Sequence, residues 1–221
     1  MTLLIIISGF IVTTGETSET NIIELYSRDG RIEWIEQDKV AEQLTVGWYL
    51  EPQVLLYTAD GRQEYFNESE VEAQLTVGWY KEKQYDFNTI EGRARYIYDY
   101  FAAQGFSKKA ICAILGNMQQ ESGIRTYTGK SCGYGLVQWT GGRKTKLFNY
   151  CGTTSPSLQQ QLDFLTYELN NGYTESLKVL QNDNLSLDEM THKFERTFEK
   201  AGKPATKKRQ GYARNWYNFS F

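Results

Sequence analysis

The sequence predicts a mainly α-helical protein, with a helical domain over residues 85–221, a small α+β repeat module at 23–84 and a strand-like segment at 1–22. Three observations lead there. From Asn88 onward the apolar residues recur at helical spacing. Residues 25–52 recur, with about half of the paired positions identical, as residues 56–83. The charge also divides where the repeats stop: up to position 83 there are 6 basic and 15 acidic residues, and beyond it 18 and 12. A chain of 221 residues, 40 % hydrophobic, can bury one core and a small second unit.

The N-terminal run from Met1 to Val12 is rich in Leu, Ile, Val and Thr, which suits a strand docked on another protein. It is as apolar as a signal-peptide core, but no basic residue precedes Arg28, so secretion is the lesser reading. It is also shorter than the roughly 20 apolar residues of a membrane span.

Each repeat opens on Leu-Tyr (Leu25, Leu56), turns at Asp-Gly (Asp29-Gly30, Asp60-Gly61) and closes on Gln-Leu-Thr-Val-Gly-Trp-Tyr at 43–49 and 74–80. Asp-Gly between strand-like residues marks a hairpin. Asn67 with Glu70 three residues on reads as a capping box, Val71 and Leu75 form an i, i+4 pair, and Gly47 and Gly78 stop the short helices. A unit of this size has little else to bury, so Trp48 and Trp79 are expected in its core. The other reading has them presented to a ligand or to the wall.

In the helical part, Asn88 or Thr89 caps a helix carrying Ile90, Ile97 and Phe101, and Ser107 caps the next, with Ile111, Ile114, Leu115 and Met118 on one face. Further stripes at Leu147 and Phe148, at Leu162, Leu165 and Leu169, and at Leu187, Met190, Phe194 and Phe198 bring the expectation to five or six helices. Cys112 lies in an apolar stretch as a small buried residue, whereas Cys132 and Cys151 flank the glycine-rich run and are placed to pair in an oxidising compartment. The single histidine, His192, belongs to no zinc-spaced set, so no metal or other cofactor is expected.

Continuing the apolar face of the second helix by three or four residues reaches Glu121 and Ser122. A carboxylic acid on a buried face has its pKa raised by desolvation and can keep its proton for a glycosidic oxygen. The plainer reading is a helix-terminal glutamate turned to solvent. After Gly123 the run Gly133-Tyr-Gly-Leu-Val-Gln-Trp-Thr-Gly-Gly-Arg143 reads as a glycine-flanked strand that carries the amide of Gln138 opposite the acid.

The two stretches Ile114-Leu-Gly-Asn-Met-Gln-Gln-Glu-Ser-Gly-Ile124 and Gly133 to Arg143 resemble, in order and spacing, those of the phage tail lysozyme family. The later runs Gln161 to Leu169, Phe198 to Gly202 and Tyr212 to Tyr217 follow the order usual in that family, and the glycine-leucine-x-glutamine element is similar to that of lytic transglycosylases and goose-type lysozymes. The resemblance covers about residues 88–221. It implies a lysozyme-like fold that cleaves the β-1,4 bond between N-acetylmuramic acid and N-acetylglucosamine in bacterial peptidoglycan. It makes Glu121 the catalytic acid, has Ser122 orient that carboxyl, and puts Gln138 on the sugar or the reacting water.

Tyr134 and Trp139 would then stack on sugar rings beside Gly135, with core packing as the alternative for Trp139. Of Gln119 and Gln120 at most one can face the cleft; Gln120 is taken as the substrate-facing one. A second acid is sought among Asp163, Glu168 and Glu175, unless the enzyme is a transglycosylase and needs none. The resemblance further implies a virion-borne enzyme in the phage tail that opens the host wall, with residues 1–84 meeting other virion proteins. The other function class is an inactive wall-binding or structural tail protein. The basic stretch Lys200 to Arg214 contains Lys207-Lys-Arg209 but no nucleic-acid-binding motif, so no nucleic-acid partner is expected.

Overall fold

The structure, a computed structural model, describes residues 21–59, 62–127, 133–200 and 204–221. They fall into two compact units that meet in sequence between Lys83 and Gln84. The strand expected over residues 1–20, the second Asp-Gly turn at Asp60-Gly61, and Cys132 with its pairing to Cys151 lie outside the described residues.

The first unit contains two small antiparallel sheets. Strands β1 (Ile22–Ser27) and β2 (Ile32–Glu36), a short helix α1 (Val40–Gln43) and β3 (Trp48–Tyr49) are followed by β4 (Gln53–Thr58), β5 (Gln63–Asn67), α2 (Val71–Thr76) and β6 (Trp79–Tyr80). In each sheet the first strand is central, with orders β2-β1-β3 and β5-β4-β6. The register moves as a block: Ile22↔Glu36 and Tyr26↔Tyr49 in one sheet become Gln53↔Asn67 and Tyr57↔Tyr80 in the other, always 31 positions on.

The hairpin turn at Asp29-Gly30 needs a left-handed residue, and Gly30 supplies it at φ +83°. Ser27 Oγ braces the turn by accepting from Arg31 N at 2.9 Å, and Thr58 Oγ1 accepts from Arg62 N at 3.0 Å in the other copy. Glu70 accepts from Asn67 N at 3.1 Å, which is the glutamate half of the expected capping box.

What these sheets bury differs from the expectation. Leu25 and Leu56 are fully enclosed and Val71 nearly so, while Trp48 and Trp79 are only half-buried. The two tryptophans sit on two-residue edge strands, where one ring face has no layer to cover it. Trp79 packs edge-on against Phe66, and the guanidinium of Arg31 lies over Trp48.

The second unit is helical: α3 (Ile90–Ala102), α4 (Lys108–Ser122), α5 (Gly141–Cys151), α6 (Leu158–Asn171), α7 (Thr174–Leu180), α8 (Leu187–Phe194), a π-helical turn at Glu195–Glu199, and α9 (Thr206–Asn218). The described residues of this unit thus hold seven α-helices, not five or six. The short α7 and the polar α9 escaped the periodicity. The inward positions of α9 are Arg209, Ala213 and Trp216, and a stripe that includes an arginine and an alanine leaves little hydrophobic signal.

Caps fix the helix starts: Thr89 accepts from Gly92 N and Ser107 from Ala110 N, as the sequence suggests, and the structure adds Ser157 and Ser186, which accept from Gln160 N and Glu189 N. At the centre of the unit is α4, which is buried continuously from Ala110 to Met118 and packs on α3, α8 and α9. Cys112 is enclosed there, its thiol pushed up to about 12 by burial, so it is the inert apolar residue expected. The closest approach is between α4 and α9: a Cβ added at Gly116 would come within 2.6 Å of Arg209 O and 2.8 Å of Ala213 Cβ.

Candidate active site

Glu121 is in the last turn of α4, and Gly123 ends that helix in the left-handed conformation at φ +65°. The carboxylate is not on the fully enclosed stripe. Its side chain is 21 % exposed and faces a polar cleft of about 360 Å3, also lined by Gln120, Gln138, Arg143, Glu199 and Arg209. The residue that continues the buried face is the next one, Ser122. Its hydroxyl donates to Leu136 O at 2.9 Å and to Met118 O at 3.2 Å, and accepts from Arg125 N at 3.1 Å. Ser122 therefore ties the glycine-rich segment to the end of α4. The group that hydrogen-bonds the Glu121 carboxylate is Arg209 Nη2, at 2.5 Å.

The glycine-rich run is a tight turn, not a strand. Tyr134 and Trp139 exchange backbone hydrogen bonds at 3.0 Å each way as an isolated bridge, and the four residues between them reverse the chain. Positive φ at Gly135 (+69°) and Gln138 (+52°) makes the reversal, which an extended strand cannot contain. Gln138 thereby reaches the cleft, with its Nε2 donating to Gly135 O at 2.9 Å.

Of the other expected contacts, Gln120 lines the cleft, while Gln119 points to α9 and accepts from Trp216 Nε1 at 2.8 Å. Gly135 faces Gln161, whose Oε1 would stand 2.2 Å from an added Cβ; the same oxygen accepts from Leu136 N. Trp139 is fully buried, edge-on to Phe164, with Nε1 donating to Glu168 Oε2 at 2.7 Å. It cannot stack on a sugar, because its indole is the floor of the turn. Tyr134 is nearly as enclosed, its ring set against Phe148.

The three acids singled out as possible partners of Glu121 are committed elsewhere or remote. Asp163 accepts from Tyr100 and Gln159, and Glu175 is exposed at the start of α7. Glu168 is buried in a two-pronged ion pair with Arg143, at 2.8 and 2.7 Å, besides its bond to Trp139. Arg143 also lies against the adjoining rings of Tyr173 and Phe198, each 4.6 Å away. It brings a fixed positive charge to the cleft wall.

The site is thus a helix that ends in a half-buried glutamate, joined through its serine to a glycine-rich turn that offers a glutamine to the same cleft. The family model described as phage tail lysozyme matches residues 92–219. The chain belongs to the phage tail lysozyme family. Morphogenesis protein 1 of Bacillus phage B103 is 30 % identical over 137 residues, which is 55 % of this chain and 37 % of that protein. The chain thus spans little more than a third of the length of that relative.

The phage tail lysozyme site contains groups that the sequence reading passed over. Arg209, 88 residues from Glu121, is buried and gives Nη2 to Glu121, Nε to Glu195 at 2.9 Å and Nη1 to Asn117 Oδ1 at 3.1 Å. Glu195 also accepts from Ala205 N at 2.9 Å and Thr206 Oγ1 at 2.5 Å. Burial pushes its carboxyl up, but the bonds from Thr206 and Ala205 and the charge of Arg209 outweigh that and hold it below the usual range.

Glu199 closes the π-helical turn, where Lys200 N bonds Glu195 O at 3.0 Å. Its Oε1 is shut off from solvent and has no hydrogen-bond partner among the described residues. Burial, and then the charge of Glu121, keep this carboxyl well above the ordinary range, against the pull of Arg209 and Arg143. In the sequence Glu195 and Glu199 stand only as the residues after Phe194 and Phe198 of an apolar stripe, and no spacing rule singles them out.

Proposed function

We infer that the protein is a peptidoglycan glycosidase that cleaves the β-1,4 bond between N-acetylmuramic acid and N-acetylglucosamine, with Glu121 giving the proton to the glycosidic oxygen. The observation that carries this reading is the position of Glu121, at the end of α4 on the wall of the polar cleft, with Arg209 holding one oxygen and Gln138 opposite. Arg209 is itself immobilised by Glu195 and Asn117, so the carboxyl is presented in one orientation without cost at the moment of reaction. Gln120 and Gln138 supply amides suited to sugar hydroxyl and N-acetyl groups. Protonation of the bridging oxygen by Glu121 lets the C1–O bond break. The sugar cation is then taken either by water or by its own hydroxyl, the second route needing no further acid.

The reading extends to a virion-borne enzyme acting locally on the host wall during infection, consistent with a relative named for morphogenesis. The two sheets of the first unit, which share one topology and one register at a constant offset, are read as copies of a duplicated module. Their exposed Trp34, Val46 and Val77 suit contact with other virion proteins.

The test is mass spectrometry of muropeptides released from purified peptidoglycan by the wild type and by Glu121→Gln. Reducing-end muramic acid products mean hydrolysis, and 1,6-anhydro ends mean transglycosylation. Absence of release by the wild type favours a protein that only grips the wall, and equal release by the variant overturns the assignment of Glu121 as the acid.

A further inference from the structure

The cleft contains an acid, Glu199, one of whose oxygens is enclosed without a hydrogen-bond partner among the described residues. Glu195 on the same π-helical turn has bonds on both carboxyl oxygens, from Ala205, Thr206 and Arg209, and Glu168 has three from Trp139 and Arg143. Glu199 Oε1 is as shut off from solvent as these, yet no described donor reaches it. An enclosed carboxyl oxygen with no donor among the described residues has given up hydration without a hydrogen bond in return. Its place is functional in kind: it lines the cleft with Glu121 and both arginines.

The free state of Glu121 leaves a need that such a group meets. Glu121 Oε1 accepts a charged hydrogen bond from Arg209, an ion pair, whereas a proton donor must carry a proton when the substrate arrives. We propose that Glu199 is the proton store of this cleft, a positioning residue that charges Glu121 with the proton it delivers to the glycosidic oxygen.

The step balances without any co-reactant beyond substrate and water. The Glu199 O–H bond breaks and an O–H bond forms on Glu121, leaving Glu199 as a carboxylate that faces Arg143 and Arg209. Glu121 then gives the proton to the bridging oxygen as the C1–O bond breaks. The water or sugar hydroxyl that bonds C1 returns a proton to Glu121, from which it passes back to Glu199.

The groups that face Glu199 support a neutral resting form. Glu121 from α4 and Glu168 from α6 oppose ionisation, Arg209 from α9 and Arg143 from α5 favour it, and burial decides for the proton. Tyr173, before α7, is an uncharged phenol whose ionisation burial and the nearby Glu168 and Glu199 oppose, and Glu195 on the same turn is already matched by Arg209. When the proton leaves, the two arginines are in place to offset the new charge.

The proposal rests on the glycosidase reading, and the experiment separates the two. The pH dependence of kcat/KM is measured on purified peptidoglycan for the full-length wild type, E121Q, E199Q and E199D, with carboxyl 13C NMR of glutamate-labelled wild type and E199Q in the absence of substrate. The expected result is a glutamate carboxyl that stays protonated at neutral pH in the wild type and is missing from E199Q. In E199Q activity near neutrality falls at least tenfold and the alkaline limb moves to lower pH, because Glu121 must then take its proton from solution. E199D restores much of the activity and returns the limb towards its wild-type position.

An E199Q profile lowered equally at every pH, with the limb unmoved, overturns the proposal while leaving the glycosidase reading intact. So does a spectrum in which every glutamate is ionised at neutral pH, a result that holds even where a variant fails to fold. A wild type that releases nothing overturns the glycosidase reading and this proposal with it, and an active E121Q overturns Glu121 as the proton donor and therefore this proposal.

Discussion

Arg209 is the residue on which the site turns. Its guanidinium joins Glu121, Glu195 and Asn117, from α4 and the π-helical turn, and it is almost wholly buried. Arg209→Met leaves Glu195 as an enclosed, uncompensated charge and is expected to cost ~3–5 kcal/mol of stability in urea unfolding. Glu121→Gln keeps the shape and removes the proton, so wall-cleaving activity is expected to drop by about 100-fold or more with unchanged thermal melting. Glu199 makes a prediction of opposite sign for stability. Its carboxyl is raised in the folded state, so its contribution is fully present below its unfolded value of about 4.5 and is lost as pH rises through the folded value. Glu199→Gln cannot ionise. Melting scans from about pH 5 to about pH 9 should therefore show the variant gaining on the wild type as pH rises, and a constant difference would contradict the raised carboxyl.

Among the elements, the contact between α4 and α9 decides the geometry of the cleft. Gly116 lets the two helices approach until the backbone of Arg209 occupies the place of a Cβ. Gly116→Ala is expected to destabilise by ~1–3 kcal/mol through overpacking, despite the better helix propensity of alanine. It should also lower activity more than the stability loss explains, because the atom displaced first is Arg209 O; chemical denaturation beside muropeptide release measures both.

The elements also show how far the sequence could be read. Ser107, Thr89, Ser157 and Ser186 cap helices because a hydroxyl before an amphipathic stretch satisfies the same local donors wherever it occurs. The run from Gly133 to Arg143 reads in the sequence as a strand opposite Glu121, whereas Tyr134 to Trp139 form a turn tied to the end of α4 through Ser122. What makes it a turn is a pair of left-handed residues, Gly135 and Gln138, the second of which no propensity announces. Trp139 looked like a sugar platform because exposed and buried tryptophans are identical in sequence. Its indole N–H found Glu168, 29 residues on, and that bond fixed it inside.

For the whole molecule, the described residues divide between Lys83 and Gln84, and the helical unit has its own enclosed core from Ala94 to Trp216. A chain of residues 84–221 is expected to fold and to cleave peptidoglycan by itself, checked by circular dichroism and muropeptide release. Failure to fold would mean that the helical core needs the repeats. Leu56→Ala, in the central strand of the second sheet, should cost ~2–5 kcal/mol of the first unit and leave the melting of the helical unit unchanged.

By itself the sequence determined the mainly helical class, the repeat at its 31-residue offset, the capped helix that carries Glu121 and the glycine-rich segment that follows it. These are local: periodicity, capping and turn chemistry act over a few residues, and the recurrence of residues 25–52 at 56–83 is visible by alignment of the chain with itself. Tertiary structure alone decided which side chains share the cleft. Arg209, Arg143 and Glu199 come from α9, α5 and the π-helical turn, and their roles depend on burial and on partners as far as 92 positions away. The energy of a charge or a proton in such a place is set by what surrounds it, and those surroundings exist only once the helices have packed.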